Sequence, residues 1–301
     1  MIKINHLKNG LSVYEALASE TRLHILELLH KNGRMNLGAI SQALNLTNGN
    51  ITKHINKLLD ANLIKIELHN VPRGVEKLCT LTEEKILIDF FPDENFDHSF
   101  EFELNAGQFS SCDITPTCGL ANSEGLIGEL DEPLYFSSPD RFSAGILWFR
   151  SGWIEYRFPN PVKNGAHIKE LQFSVEISSE APGSLVHYLS DIQFFLNDKY
   201  LCTYCCPGEF KDRKGLVSPK NWIREFAQYG RLKIISVDGT GSYMDGMFGS
   251  ETTIDDILKE EAAFFSFKIG ISPDAKNVGG VNIFGKEFGD YNSGIKLKIF
   301  V

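Results

Sequence analysis

Between Gly38 and Thr82 the chain changes its hydrophobic period twice, and that order of periods leaves few folds open. Residues 39–46 place apolar side chains at helical spacing and then meet the break Thr47-Asn48-Gly49-Asn50. Thr47 or Asn48 can cap a second helix, expected from Asn50 to Asn62, with Ile51, Ile55, Leu58 and Leu59 as its buried stripe. Leu63 to Leu68 then alternates as a strand does. His69 to Gly74 has the composition of a turn, and Val75 to Thr82 returns as a second strand. Two helices around a tight turn, followed by a hairpin, make a winged helix-turn-helix.

The second helix keeps Asn48, Asn50, Thr52, Lys53, His54, Asn56 and Lys57 off its apolar stripe, and no carboxylate follows until Asp60. Hydrogen-bonding and basic side chains on one exposed helix face are what reading a major groove requires. Arg73 at the hairpin tip and Lys65 and Lys77 on its arms are placed to meet flanking phosphate. Together with the stretch Val13 to Leu29, which breaks near Ser19, and Thr47 to Ile64, this region resembles the ArsR-type bacterial repressors. The resemblance covers roughly residues 10 to 90 and implies binding of a double-stranded operator. The metal sensors of that family use cysteine or Asp/His sets. Here no cysteine precedes the wing and Cys79 stands alone within it, so those metal sites are not expected.

The net charge of -9 runs against a DNA-binding protein until it is divided along the chain. Residues 1–89 hold 11 Lys/Arg against 9 Asp/Glu, a net +2, whereas residues 90–301 hold 19 against 30, a net -11. Acidic surface beyond residue 89 repels phosphate and confines DNA contact to the first part. A net +2 is modest, so a homodimer that doubles the basic surface is expected. Met1 to His6 lacks the apolar core of a signal peptide and no run reaches membrane-spanning length. Six cysteines without a regular spacing fit reduced thiols, so a cytoplasmic protein with no membrane partner is expected.

The domain reading is a winged helix-turn-helix over 1–89, a linker and first strand over 90–125, and a sensor or dimerisation domain over 126–301. Past an acidic linker at Phe91 to Asn95, strand-like runs recur: 100–104, 145–149, 153–158, 168–178, 191–196, 200–205, 232–237, 264–271, 278–284 and 295–301. Asn197-Asp198-Lys199 reads as a hairpin loop, Arg150-Ser151-Gly152 as another turn, and Asn221–Tyr229 and Ile254–Glu261 as short helices. The fold class is therefore α+β multidomain, with an antiparallel β-sandwich, jelly-roll-like, after the winged helix. Loop segments such as Pro116 to Ala121, Ser179 to Gly183, Pro207 to Gly215 and Phe284 to Asn292 resemble a group of bacterial regulators that join an ArsR-type head to a long β-rich domain.

A lobe on a winged helix senses a small molecule or completes a dimer. Exposed aromatics with mixed acid and amide loops suit a sugar, whose C–H face stacks on a ring while its hydroxyls need paired donors and acceptors. The ligand candidates are Asp191, Glu209, Asp212, Arg213, Trp222 and Tyr229, with Trp153 and Tyr188 as further platforms, whereas Trp148, in an apolar strand, is expected in the core. Cys202-Thr203-Tyr204-Cys205-Cys206 with Cys118 and His187 is the zinc candidate, but Cys202 and Cys205 in one strand point to opposite faces; calcium in an acidic loop is the other metal reading, without a recognisable ligand loop. No phosphate loop, dinucleotide fingerprint or nucleophile elbow is present, so neither a cofactor nor an enzyme is expected. Glu176, Glu180 and Glu209 are the carboxylates from which a hydrolase pair would have to come. The competing reading is a carbohydrate-binding or scaffold protein whose winged helix does not touch DNA.

Overall fold

The computed structural model describes residues 2–4, 7–71, 74–82, 86–88, 99–162, 167–180, 188–258 and 263–301. The chain forms two compact units, residues 1–95 and 96–301. The first contains β1 (Ile2–Ile4), α1 (Leu11–Leu17), α2 (Glu20–Asn32), β2 (Met35–Asn36), α3 (Leu37–Leu44), α4 (Asn48–Asp60), β3 (Ile64–Val71), β4 (Gly74–Leu81) and β5 (Ile86–Ile88). Its core takes Val13 and Ala16 from α1, Ile25 and Leu29 from α2, Ile40 from α3, and Ile51, Ile55 and Leu58 from α4. Those apolar positions recur at three- and four-residue spacing, so each helix turns one stripe inward.

Local chemistry fixes where these helices start and stop. The Asn36 side chain accepts a hydrogen bond from the Ala39 N–H at 2.6 Å and caps α3. Asn45 ends α3 in the left-handed region at φ 52. The break therefore falls at residues 45–47, earlier than the sequence pattern suggests, and Asn48, Gly49 and Asn50 form the first turn of α4. Glycine costs a helix conformational entropy, and at the first turn it does not interrupt the interior of α4. The wing is also longer than expected. β3 and β4 pair from Ile64↔Leu81 to Val71↔Gly74, which draws His69, Asn70 and Val71 out of the turn and into the ladder. β2 adds a third strand through Met35↔Cys79, and β1 runs parallel to β5; neither pairing is visible in hydrophobic period.

The second unit contains β6 (Ser99–Leu104), β7 (Ser111–Asn122), β8 (Gly125–Leu126), β9 (Ile146–Pro159), β10 (Glu170–Ser178), β11 (Ser190–Leu196) and β12 (Lys199–Cys206). It continues with β13 (Arg231–Asp238), β14 (Ser242–Met244), β15 (Met247–Ser250), the short helix α5 (Ile254–Ile257), β16 (Phe264–Ile271), β17 (Val281–Phe284) and β18 (Ile295–Phe300). Among the described residues these thirteen strands join one antiparallel sheet in the order β12-β11-β16-β9-β17-β10-β13-β14-β15, with β6, β7, β8 and β18 attached to it. The ends of that order meet. Ser242 Oγ on β14 donates to the Leu201 carbonyl of β12 at 2.7 Å, and Ser250 Oγ on β15 to that of Tyr200 at 3.2 Å. The sheet is nearly closed.

Its interior is built by strict alternation. Leu171, Phe173, Val175 and Ile177 of β10 point inward with Ile192, Phe194 and Leu196 of β11 and Phe265, Phe267, Ile269 and Ile271 of β16. At the centre Phe267 stacks on Phe173, centroids 4.1 Å apart, and faces Phe194 at 6.0 Å.

Three sequence readings are corrected. Arg150-Ser151-Gly152 does not turn the chain but lies inside β9, where the partner strand changes: residues 146–149 pair with β17 and residues 152–159 with β16. Gly152 makes this possible at φ 103, since a Cβ would stand 2.0 Å from the Asp113 carbonyl oxygen. Pro116 to Ala121 is not a loop but part of β7, which pairs along β9 on both sides of the irregularity at residues 115–118. Asn221–Tyr229 is a run of turns and not a helix, because Trp222 and Ala227 are drawn into an apolar cluster with Trp148, Phe284 and Phe288. The linker at 91–95, Ala181 to Gly183 and Lys259 to Glu261 lie outside the described residues. Asn197 and Asp198 form the expected tight hairpin loop, both at positive φ.

Candidate functional site

The α3–turn–α4 pair presents a helix whose two faces are chemically distinct. Ile51, Ile55 and Leu58 are at most 1% exposed. On the other side Asn48, Gly49, Asn50, Thr52, Lys53, Asn56 and Lys57 are exposed, and His54 is half-buried at the edge. Thr47 caps the helix by accepting from the Asn50 N–H at 3.4 Å, and the Thr52 hydroxyl donates to the Asn48 carbonyl at 2.8 Å. Donors, acceptors and the exposed ammonium of Lys53 therefore share the outward face of α4. Lys57 reaches back toward Glu15 of α1 at 3.7 Å, a contact between side chains more than half exposed and worth little.

On the wing Lys77 is exposed opposite Leu68, itself 70% exposed; Arg73 lies outside the described residues. The two wing carboxylates are engaged within the unit. Glu67 pairs with Lys65 at 3.2 Å and with Arg34 at 3.4 Å, and Glu76 accepts from the Asn36 amide. Neither stands bare toward an approaching phosphate. Sequence reading missed these partners, as it missed Arg22, whose guanidinium donates to the Ala16 and Glu15 carbonyls at 2.6 Å each and closes the end of α1. In Arg22 the signal was a basic residue just past a helix end.

The ligand residues expected in the second unit do not form one site. Asp212, Arg213 and Tyr229 do meet: the Tyr229 hydroxyl donates to Asp212 at 2.7 Å and the Arg213 guanidinium lies 3.8 Å from the Tyr229 ring centroid. Arg213 also grips Asp290 with two bonds of 3.0 and 2.6 Å, and Glu209 pairs with Lys211 at 2.7 Å. Trp222 is packed edge-on against Phe288 and face-on against Phe226, with its indole N–H on the Ala227 carbonyl at 3.0 Å. It is core and not an open platform. Asp191 is engaged elsewhere, by the Asn277 side chain and N–H. Trp148 is buried as well. Cys202 is buried and Cys205 exposed on β12, as the period of a strand dictates, and His187 lies outside the described residues.

Beneath the Arg213 group sits a carboxylate that sequence reading placed only among hydrolase candidates. Glu176 is 1% exposed and accepts from the N–H groups of Gly230, Asp290 and Tyr291 at 2.8 to 3.2 Å. Its acceptor capacity is spent on backbone. Burial, reinforced by the Asp290 carboxylate, pushes Glu176 from 4.5 up to about 8 against the pull of those N–H groups. Burial likewise pushes Glu209 up to about 7, although its pairing with Lys211 acts the other way. A carboxyl whose folded pKa is raised contributes stability that is complete below pH 4.5 and is lost as pH rises through the folded value. Urea midpoints of the second unit are therefore expected to fall between roughly pH 5 and pH 8, and Glu209→Gln to flatten that decline. A variant whose midpoint keeps the full slope would remove Glu209 from the linkage.

Residues 19–65 match a family model described as winged helix-turn-helix DNA-binding. The match runs from the residue before α2 into β3, so it contains both helices of the pair and the entry to the wing. It supports a winged-helix regulator that binds DNA. No curated protein matches the chain. Among the described residues, no helix is long and apolar enough to cross a membrane.

Proposed function

We propose that this chain is an ArsR-like transcriptional repressor that binds its operator as a homodimer and is released or recruited by a small ligand. The observation that carries the reading is the outward face of α4, where seven residues without a carboxylate stand above a fully buried apolar stripe. Asn50, Thr52 and Asn56 are suited to base edges, and Lys53 and Lys77 to phosphate. The nearly closed β unit is read as a jelly-roll-like sandwich that senses the ligand and performs no catalysis. Its acidity disfavours a second contact with DNA. Ligand binding would act by population shift, favouring one placement of the two heads and so one half-site spacing.

Fluorescence anisotropy of the full chain against DNA from its own upstream region tests this directly. Specific binding is expected, with log affinity falling linearly in log salt. Absence of binding at low salt would overturn the reading and favour a carbohydrate-binding or scaffold role in which the winged helix contacts only protein.

A further inference from the structure

Four strands of the second unit turn an unusual face outward. A sheet face that meets water ordinarily alternates to polar residues. Here the outward positions of β9, β11, β12 and β16 include Trp153, Phe195, Tyr200 and Phe264, while Ile154, Phe194 and Phe267 between them face the core. Register aligns them in rows. Asp113, Trp153, Gly270, Gln193 and Thr203 lie side by side, and Ser111, Glu155, Lys268, Phe195 and Tyr200 fill the adjacent row. Gly270 stands in the row between Trp153 and Gln193 and marks a close approach of strands, since a Cβ there would lie 2.7 Å from the Gly152 carbonyl oxygen.

Two cavities open along this face. The larger, about 470 Å³, runs past Glu155, Arg157 and Phe264; the smaller, about 280 Å³, runs past Trp153, Gln193, Phe195 and Gly270. Asp198 and Lys268 line both. From Phe264 to Ile271 the groove follows β16 for roughly 25 Å. Its volume suits a small ligand and its length suits a chain of linked rings.

The floor is built. Glu155 is 7% exposed and takes the Ser111 hydroxyl at 2.6 Å, the Ser266 hydroxyl at 2.7 Å and Arg157 at 2.8 Å. Burial opposes its charge, but these donors outweigh it and hold Glu155 at about 2. The charges around the groove balance. Lys268 pairs with Asp198 at 2.6 Å and its ammonium lies 4.7 Å from the Trp153 ring centroid, while Arg157 pairs with Glu155 and lies 4.7 Å from Phe264. The acidic and basic residues lining the larger cavity are equal in number. A phosphate or polyanion would need a surplus of positive charge. Aromatic walls combined with balanced, hydrogen-bonding charge fit a neutral polyhydroxylated ligand.

We infer that this face is a carbohydrate-binding groove, in which a neutral oligosaccharide lies along β16 with ring faces against Trp153 and Phe195 and hydroxyls on Gln193, Lys268 and Asp198. The assignment deepens the proposed function, since it gives the β unit its ligand, and it uses none of the six residues that sequence composition favoured. The full chain is to be titrated by calorimetry with a panel of neutral gluco-, manno-, galacto- and xylo-oligosaccharides. At least one is expected to bind at or below millimolar concentration. Trp153→Ala should weaken it about tenfold and Gln193→Ala about fivefold. Trp153→Phe should retain most of the affinity while losing the change in indole emission, because Trp148 and Trp222 are buried away from the groove. Near-UV dichroism checks that each variant is folded, and Gln193→Ala carries the test if Trp153→Ala is not. No binding across the panel, or binding indifferent to both alanine variants, would overturn the groove. Sugar binding that leaves operator affinity unchanged would uphold the groove and overturn the sensing role instead.

Discussion

Arg213→Ala is expected to lower the stability of the second unit by about 3–5 kcal/mol, the cost of stranding one member of a buried ion pair. The pair is nearly sealed, with the Arg213 and Asp290 side chains 11% and 4% exposed. Its two parallel bonds match the fork of a guanidinium to a carboxylate. Asp290 also accepts from the Leu216 N–H, and its own N–H donates to Glu176. Removing the guanidinium would leave two carboxylates close together in a dry site, one of them already disfavoured as an anion. The Tyr229 ring would lose the cation above it as well. Arg213→Lys should recover only part of the loss, since an ammonium cannot make the fork. Urea unfolding followed by tryptophan emission measures this. A change below about 1 kcal/mol would show that water or a neighbour replaces the guanidinium, and would return Arg213 to the ligand candidates.

That prediction marks the boundary of what the sequence made legible. The winged helix was readable because its information is local: Ile51, Ile55 and Leu58 repeat at helical spacing, and Thr47 supplies the cap within three residues of the N–H that donates to it. Most strands of the second unit were readable for the same reason, and so was the opposition of Cys202 and Cys205 across β12. What failed depended on partners distant in sequence. Arg213 meets Asp290 across 77 residues, and Glu176 meets its N–H donors across 54 to 115. Trp222 looked like an exposed platform after a polar run, yet Phe288 covers it. Gly152 carried the signal of a turn, but β7 on one side and β16 and β17 on the other hold it inside a strand.

The groove illustrates the same limit from the opposite side. Trp153 was one of several possible platforms and Gly270 and Gln193 looked ordinary within their strands, and only the register of β9, β16 and β11 sets the three in one row. A one-residue slip of β16 would put Ile269 or Ile271 there and bury Lys268. The alternation of Phe265, Phe267, Ile269 and Ile271 excludes that slip, since the core would lose all four side chains at once. The interior pattern therefore specifies the outer site without containing any of its residues.

On the winged helix, Lys53→Ala and Asn56→Ala are expected to fail in different ways, and the difference separates positioning from reading. Lys53 is exposed on α4. Its removal should weaken binding to every duplex alike and reduce the slope of log affinity against log salt by about 0.9 per protomer. Asn56 lies one helical turn further on the same exposed face and carries the amide that can bond adenine at two positions. Its loss should cost about 1–3 kcal/mol on the preferred operator, little on unrelated DNA, and leave the salt slope unchanged. Neither substitution touches Ile51, Ile55 or Leu58, so thermal stability should hold. Anisotropy titrations at several salt concentrations, on operator and on scrambled duplex, resolve both effects. Equal losses for Asn56→Ala on the two duplexes would remove that residue from base recognition, and an unchanged slope for Lys53→Ala would remove that one from the phosphate set. If both held, α4 would not be the recognition helix, and the contact would have to come from the wing.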